Sequence, residues 1–221
     1  LLFVSKNIHG RHLLGGENFN VLECENCKVT FTDVEVNSLF YKHYYPENYY
    51  DQLHGSRLIE GILSFLEKFS FQRKLRLILK HKPPGNRVLE IGCAQGKFLS
   101  NLPSIFEKSG VEINENGRRY IQKHYPDITI YQGDIENENF GDCIKKYDII
   151  LMWHVLEHIK NPSAFLQHLS SLLNKNGVFV FEDPYMGSVL KMNSYDQFYD
   201  EHVHLFSLLS ISELLKKSQL K

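Results

Sequence analysis

The stretch FYDEHVHLF, residues 198–206, packs Asp200, Glu201, His202 and His204 into five positions between aromatic and aliphatic neighbours. A carboxylate beside a histidine can orient it as a general base, and imidazoles can also ligate a metal. His202 and His204 stand two apart, and neither an H-x-x-x-H spacing nor a distant third ligand accompanies them. Local spacing does not decide between a metal site, an acid–base pair and a polar edge on a core segment; the rest of the chain does. His154, which ends an apolar strand-like run, is a further candidate polar contact, whereas His204 reads as a packing residue.

A second chemical stretch is VLEIGCAQGKFL, residues 88–99: a buried strand that runs into a glycine turn and then a helix. Gly92 and Gly96 permit positive φ and close ligand approach, and the helix start offers unpaired N–H groups. The pattern is neither G-x-G-x-x-G nor a P-loop, so neither a dinucleotide nor a nucleotide triphosphate is the expected ligand. Glu90 is an acid inside an apolar strand and needs donors to offset its burial. Cys93 reads as a small loop residue whose thiol does no chemistry.

Further acids follow at strand ends. GVEIN places Glu112, with Ile113 beside it, where a carboxylate can accept from a ribose diol; YQGDIEN places Asp134 and Ile135 within reach of a purine. YDIILMWHVLEHI ends its strand at Trp153 and His154. Glu157 and His158 of LEHI read as polar contacts at the start of the helix that follows.

The elements that must position these groups follow from pattern. Residues 1–45 contain short β-like runs broken by Gly, Asn and Cys, and form a small β-rich module. Residues 46–84 hold an aromatic linker and a helix from about Ser56 to Leu79, with Leu58, Ile62, Phe65, Leu66 and Phe69 on one face, stopped by KPPGN. Residues 85–184 alternate strands (RVLEIG, GVEI, ITIYQG, YDIILMW, VFVFED) with helices near 96–102, 114–124 and 162–174. That alternation predicts an α/β fold: a doubly wound, mostly parallel Rossmann-like sheet with helices on both faces. Residues 185–221 form a substrate-side loop and a last amphipathic helix without a stop signal, so a longer natural chain is expected.

With 221 residues, 43% of them hydrophobic, the chain can bury a sizeable core. A net charge of −1 and no Lys/Arg block argue against nucleic acid or an anionic membrane surface as partner, which leaves small molecules. No apolar run reaches the roughly 18–20 residues of a membrane span, and a cytoplasmic location is the default expectation.

VLEIGCAQGKFL, GVEIN, GDIE and the fourth strand with its LEHI resemble, in that order, the class I S-adenosylmethionine-dependent methyltransferases. The resemblance implies that Glu90, Gly92, Cys93, Ala94 and Gly96 line the methionine part of S-adenosylmethionine. It places Glu112 and Ile113 at the ribose, Asp134 and Ile135 at the adenine, and Trp153 at the cofactor's edge. CENCKVTFTD, YYPENYY and the C-terminal flank resemble the zinc-ribbon-containing sugar C-methyltransferases of nucleotide-linked deoxysugars. In that family a further C-x-x-C precedes the one formed here by Cys24 and Cys27, so the pair is half of a structural zinc site; His9 and His12 could complete it. The family's Tyr-His-Glu-His motif reads Tyr199, Asp200, Glu201, His202 here, with Asp200 in place of histidine. The resemblance implies C-methylation of a keto-deoxysugar nucleotide, with His202 as base, Glu201 its partner, and Tyr199 and His154 at the substrate. O- or N-methylation of a sugar, lipid or metabolite is the alternative. A non-catalytic cofactor-binding or zinc-ribbon interaction protein is the second.

Overall fold

The computed structural model describes residues 2–9, 18–35, 46, 57–81, 83–133, 145–192 and 201–220. In chain order the strands and helices are β1 (Leu2–His9), β2 (Asn18–Glu23), β3 (Thr30–Thr32), α1 (Arg57–Lys80), β4 (Arg87–Ile91), α2 (Lys97–Asn101), β5 (Glu107–Glu112) and α3 (Glu115–His124). They continue with β6 (Ile128–Gln132), β7 (Tyr147–Trp153), α4 (Pro162–Leu172), β8 (Leu173–Glu182), α5 (Met186–Met192), β9 (His204–Leu205) and α6 (Leu208–Lys217). LEHI does not start a helix: Leu156–His158 is a 3₁₀ turn, and α4 begins only at Pro162, capped by Asn161.

Strands β4 to β8 form one parallel sheet in the order β6-β5-β4-β7-β8, as the alternating pattern predicts. The chain lays β4, β5 and β6 outward in one direction, then crosses back to put β7 on the other side of β4, so a crevice opens at the carboxyl end of β4. Both faces of the sheet are covered. Leu89, Ile91, Ile150 and Met152 pack on α4 and α6 through Phe165, Leu166, Leu169 and Leu214, whereas Val88, Ile149 and Leu151 pack on α1, α2 and α3 through Ile78, Leu99 and Ile121. This explains why YDIILMW is apolar at every position but Asp148: alternate residues of β7 enter opposite cores.

In the described part of the helix before the sheet, from Leu66 onward, the buried face differs from the expected one. Leu66 and Phe69 are 54% and 68% exposed, and α1 packs through Phe71, Leu75 and Ile78. The apolar residues of α1 are spread around its circumference, so only the position of the sheet selects the buried stripe.

β1, β2 and β3 form an antiparallel sheet whose fourth strand is β9. Thr30 pairs with Leu205 and Phe31 with His204, and Thr32 N–H donates to the Val203 carbonyl at 3.0 Å. Phe206 then bridges Tyr185 and accepts from Met186 N–H at 3.0 Å. The N-terminal strands and the segment after β8 are thus one structural unit. His204 belongs to it: its ring lies between Phe31 and Phe206, and burial lowers its pKa to about 4. Among the described residues no helix is long and apolar enough to cross a membrane.

Leu205, 2% exposed, joins this sheet to the core. Leu205→Ala should cost about 2–4 kcal/mol in urea-induced unfolding; a cost below about 0.5 kcal/mol would mean that burial of the Leu205 side chain contributes nothing to stability.

Candidate functional site

The carboxyl end of β4 turns through left-handed conformations at Gly92 (φ 68°), Ala94 (φ 52°) and Gly96 (φ 73°). Gly92 and Cys93 N–H both donate to the Val111 carbonyl, at 2.9 and 3.1 Å, which hooks the loop onto β5. A Cβ on Gly92 would lie 2.6 Å from Val155 Cγ2, so the position combines positive φ with close packing. Cys93 is 4% exposed and burial pushes its thiol well above the usual range, which leaves it protonated and unreactive.

Glu112 holds this loop to the next one. Its Oε2 accepts from Ala94 N–H and its Oε1 from Asn114 N–H, both at 2.7 Å, with only 5% of the residue exposed. Burial raises its pKa, and these N–H donors oppose the rise. Asn114 in turn caps α3 by accepting from Gly117 N–H and donates to the Pro46 carbonyl at 3.0 Å, which ties Pro46 to the loop. Ile113 stands in the turn between them. Asp134, Ile135 and Tyr199 lie outside the described residues.

Glu90 lies beneath the loop, 3% exposed, with Oε2 lacking any hydrogen-bond partner. Burial pushes its carboxyl up to about 8, against the pull of Lys74 and the neighbouring Trp153 indole. Lys74 Nζ sits 4.0 Å from the centroid of the Trp153 ring and 3.3 Å from Glu182 Oε1. Trp153 also walls a cleft of about 530 Å³ with Phe71 and Phe98.

On the other side of Trp153, His154 adopts φ 54°, a strained conformation for a side-chain-bearing residue, and its N–H donates to the Glu182 carbonyl at 2.7 Å. Its ring stands between two acids, with Nδ1 3.6 Å from Glu157 Oε1 and Nε2 3.5 Å from Glu182 Oε1. The Glu157 contact raises its pKa, with burial opposing. Glu157 is 1% exposed, and neither its oxygens nor those of Asp183 have a hydrogen-bond partner. Burial works against charge on both acids. His154 and His158 hold Glu157 below the usual range, whereas burial and the Glu157 charge push Asp183 up to about 9. Glu157 is therefore the acid that ionises first, and Asp183 keeps its proton.

His158 and His202, each 9% exposed, complete the group. Their rings meet edge to face at 5.0 Å, and His158 Nδ1 lies 2.8 Å from the Glu201 carbonyl. A carbonyl only accepts, so Nδ1 carries the hydrogen, and in the neutral ring the lone pair sits on Nε2, 3.8 Å from Glu157 Oε1. Of the sequence-predicted residues, the structure brings Glu90, Gly92, Cys93, Ala94, Gly96, Glu112 and Ile113 to one loop cluster. Trp153 and His154 stand at the end of β7, where His202 and Glu201 meet the 3₁₀ turn. Sequence reasoning left out Asp183 and Lys74 and gave Glu157 and His158 a helix-start role, with substrate contact as the alternative. EDP directly after the fifth strand and LEHI after the fourth were the available signals.

Cys24 and Cys27 flank the β2–β3 turn, where Lys28 N–H donates to the Cys24 carbonyl and Cys24 N–H to that of Val29. Both thiols are free and partly exposed, and N–H groups of Cys27 and Asn26 lower the Cys24 pKa. Among the described residues no third ligand gathers with them, so the described structure does not support the expected zinc site.

The β4 loop sets backbone N–H groups beside two buried carboxyls: Glu112, held by Ala94 and Asn114 N–H, and Glu90, one of whose oxygens has no hydrogen-bond partner. A pyrophosphate would meet the Glu112 carboxylate as a like charge. These features, on a sheet of this order, define a class I S-adenosylmethionine-dependent methyltransferase domain. The chain belongs to the methyltransferase-domain family, which matches residues 62–221. It is 29% identical over 104 residues to the ubiquinone biosynthesis O-methyltransferase of Glaesserella parasuis, covering 42% of this chain and 43% of that one. It is 24% identical over 111 residues to a dTDP-3-amino-3,4,6-trideoxy-alpha-D-glucopyranose N,N-dimethyltransferase of Streptomyces venezuelae, covering 48% and 46%. The plantazolicin methyltransferase BpumL, solved in complex with SAH, shares the fold with TM-score 0.53 at 22% identity, over 80% of this chain and 74% of that one. The chain spans about half or less of the length of the curated relatives it matches.

Glu112→Ala should weaken S-adenosylmethionine binding by about 10- to 100-fold in calorimetry, because two backbone N–H groups lose their acceptor; unchanged affinity would remove Glu112 from the site. Glu90 titrates near 8 when folded, against 4.5 normally, so its neutral form stabilises the fold fully below 4.5 and that contribution is lost as pH rises through 8. Glu90→Gln should flatten the fall in unfolding free energy between pH 5 and 8, by at most about 1.4 kcal/mol per pH unit. Identical slopes in the two proteins would show that Glu90 is ionised throughout.

Proposed function

We propose that the chain transfers the methyl group of S-adenosylmethionine to a small molecule whose nucleophile must first lose a proton. The observation that carries this is the imidazole–carboxyl group formed by buried Glu157, His158 and His202 with Asp183 and the half-exposed His154, gathered beyond the carboxyl ends of β7 and β8. An amine acceptor needs no such cluster, whereas a carbon beside a ketone or a hydroxyl does.

S-Adenosylmethionine supplies a methyl group on an activated sulfonium. Gly92, Cys93, Ala94 and Gly96 present backbone to its methionine part, with Glu90 below, while Glu112 and Ile113 take the ribose, Asp134 and Ile135 the adenine, and Trp153 closes the edge. The acceptor lies over β7 and β8. A neutral His202 takes its proton, Glu201 fixes that ring's segment through its carbonyl bond to His158, and His154 with Tyr199 holds the acceptor's oxygen. The methyl–sulfur bond breaks with its electrons left on sulfur as the acceptor bonds the methyl carbon.

The acceptor that matches the C-terminal flank is the enolisable carbon of a nucleotide-linked keto-deoxysugar. A hydroxyl is the second reading, which the same proton-handling cluster and the similarity to an O-methyltransferase support. A structural zinc on Cys24 and Cys27 would take its other ligands from residues outside those described, His12 among the candidates.

Incubation with methyl-labelled cofactor and either 4-keto-deoxysugar nucleotides or hydroxylated acceptors, followed by NMR of the product, locates the label. A methyl ether product rejects the carbon acceptor, and labelled amine alone rejects the whole reading. His202→Ala should lower kcat about 10²- to 10⁴-fold with cofactor affinity retained; wild-type turnover would remove His202 from proton transfer.

A further inference from the structure

We propose that Glu157, His158 and His202 bind one divalent transition-metal cation on the acceptor side of the site. One ligand atom from each lies within 4.8 Å of the others, and all three residues are buried. A carboxylate with two imidazoles is a donor set suited to Zn²⁺, Mn²⁺ or Fe²⁺ rather than to Mg²⁺ or Ca²⁺, which prefer all-oxygen shells.

Two independent features of the cluster point to a cation. Apart from the protonated Asp183, no donor lies within hydrogen-bond distance of the Glu157 oxygens, although the side chain is 1% exposed, and its nearest imidazole nitrogens stand at 3.6 and 3.8 Å. The neighbouring Asp183 can serve at most one of those oxygens, so the other lacks a partner in a buried setting, where that is costly. The second feature is the His158 ring. Its Nδ1–H is committed to the Glu201 carbonyl at 2.8 Å, and this fixes the tautomer whose Nε2 lone pair faces Glu157. Metal-ligating histidines are oriented by such a bond from the other ring nitrogen. Closing the group onto one ion needs a contraction of about 1 Å, since ligand atoms about 2.1 Å from a centre stand closer together than 4.8 Å. His154, half-exposed and 3.6 Å from Glu157, marks the solvent side on which an acceptor oxygen would complete the shell.

This inference rests on the reading that the cluster faces the acceptor, and it moves the proton-accepting role from His202 to water. With the ion bound, His202 holds the cation, and an acceptor hydroxyl or enolisable carbonyl coordinated through oxygen is acidified so that its proton passes to water. Chelating acceptors, with two neighbouring oxygens, become the favoured class.

The test uses the whole chain, freed of metal by dialysis against a chelator and titrated with Mn²⁺, which avoids the Cys24–Cys27 thiols, by calorimetry and by loss of the free-ion EPR signal. One saturable site per chain is expected, weakened at least tenfold in Glu157→Gln and in His158→Ala and unchanged in His168→Ala on α4. Absence of saturable binding, or binding that Glu157→Gln and His158→Ala leave intact, overturns the proposal. Circular dichroism checks that each variant is folded, and the near-isosteric Glu157→Gln decides the matter if His158→Ala is not. S-Adenosylmethionine titrated into the same metal-free protein separates the two readings: cofactor binding without Mn²⁺ binding rejects the metal alone, and failure of cofactor binding rejects the methyltransferase reading.

Discussion

The pairing of β4 with β7, Val88 to Ile149 through Ile91 to Met152, is the contact on which the site depends. β5 lies on the other flank of β4, so the loop after β4 turns one way onto Val111 while the end of β7 stays open beside it. Every residue of β7 from Tyr147 to Met152 is buried, and the helices on its two faces leave the carboxyl edge as the place where polar groups can gather. Ligand binding at such a switch point follows from the strand order rather than from any one residue.

The gathered groups are mostly acids. Glu90, Glu112, Glu157 and Asp183 are withdrawn from solvent within a few strand ends of one another. Burial of carboxyls without cations is costly, and the structure offsets it in three ways: backbone N–H donors at Glu112, imidazoles at Glu157, and retained protons at Glu90 and Asp183. Of the four, Glu112 and Glu157 keep the charge, and a cationic group is the complement to that edge.

His202 reaches this edge through the N-terminal strands. β3 pairs with β9 directly after Val203, and the Tyr185–Phe206 bridge clamps the far end, so the short run between Glu201 and Phe206 has little freedom. That clamp puts the Glu201 carbonyl on His158 and the His202 ring against it. A small β-sheet that looks peripheral in the chain thereby sets the geometry of the acceptor side.

The strand and helix order, the parallel sheet, the glycine loop and the acids at strand ends were legible in the sequence, because they follow from local periodicity and from residue types that a βα turn requires. Glu90 and Glu112 were legible as well, since an acid in an apolar run announces its own cost. The buried stripe of α1 was not, because its apolar residues are spread around the helix and only packing selects among them. Nor was the partnership of His158 with His202, 44 positions further along the chain. DEHVH and LEHI each look like ordinary polar segments, and nothing local in either states that a cross-chain strand pairing will bring them together. The sequence by itself thus determined the fold class and the cofactor loop. Only the tertiary structure decided which histidines and carboxyls form one site, because that depends on the β3–β9 pairing and on burial shared between segments distant in sequence.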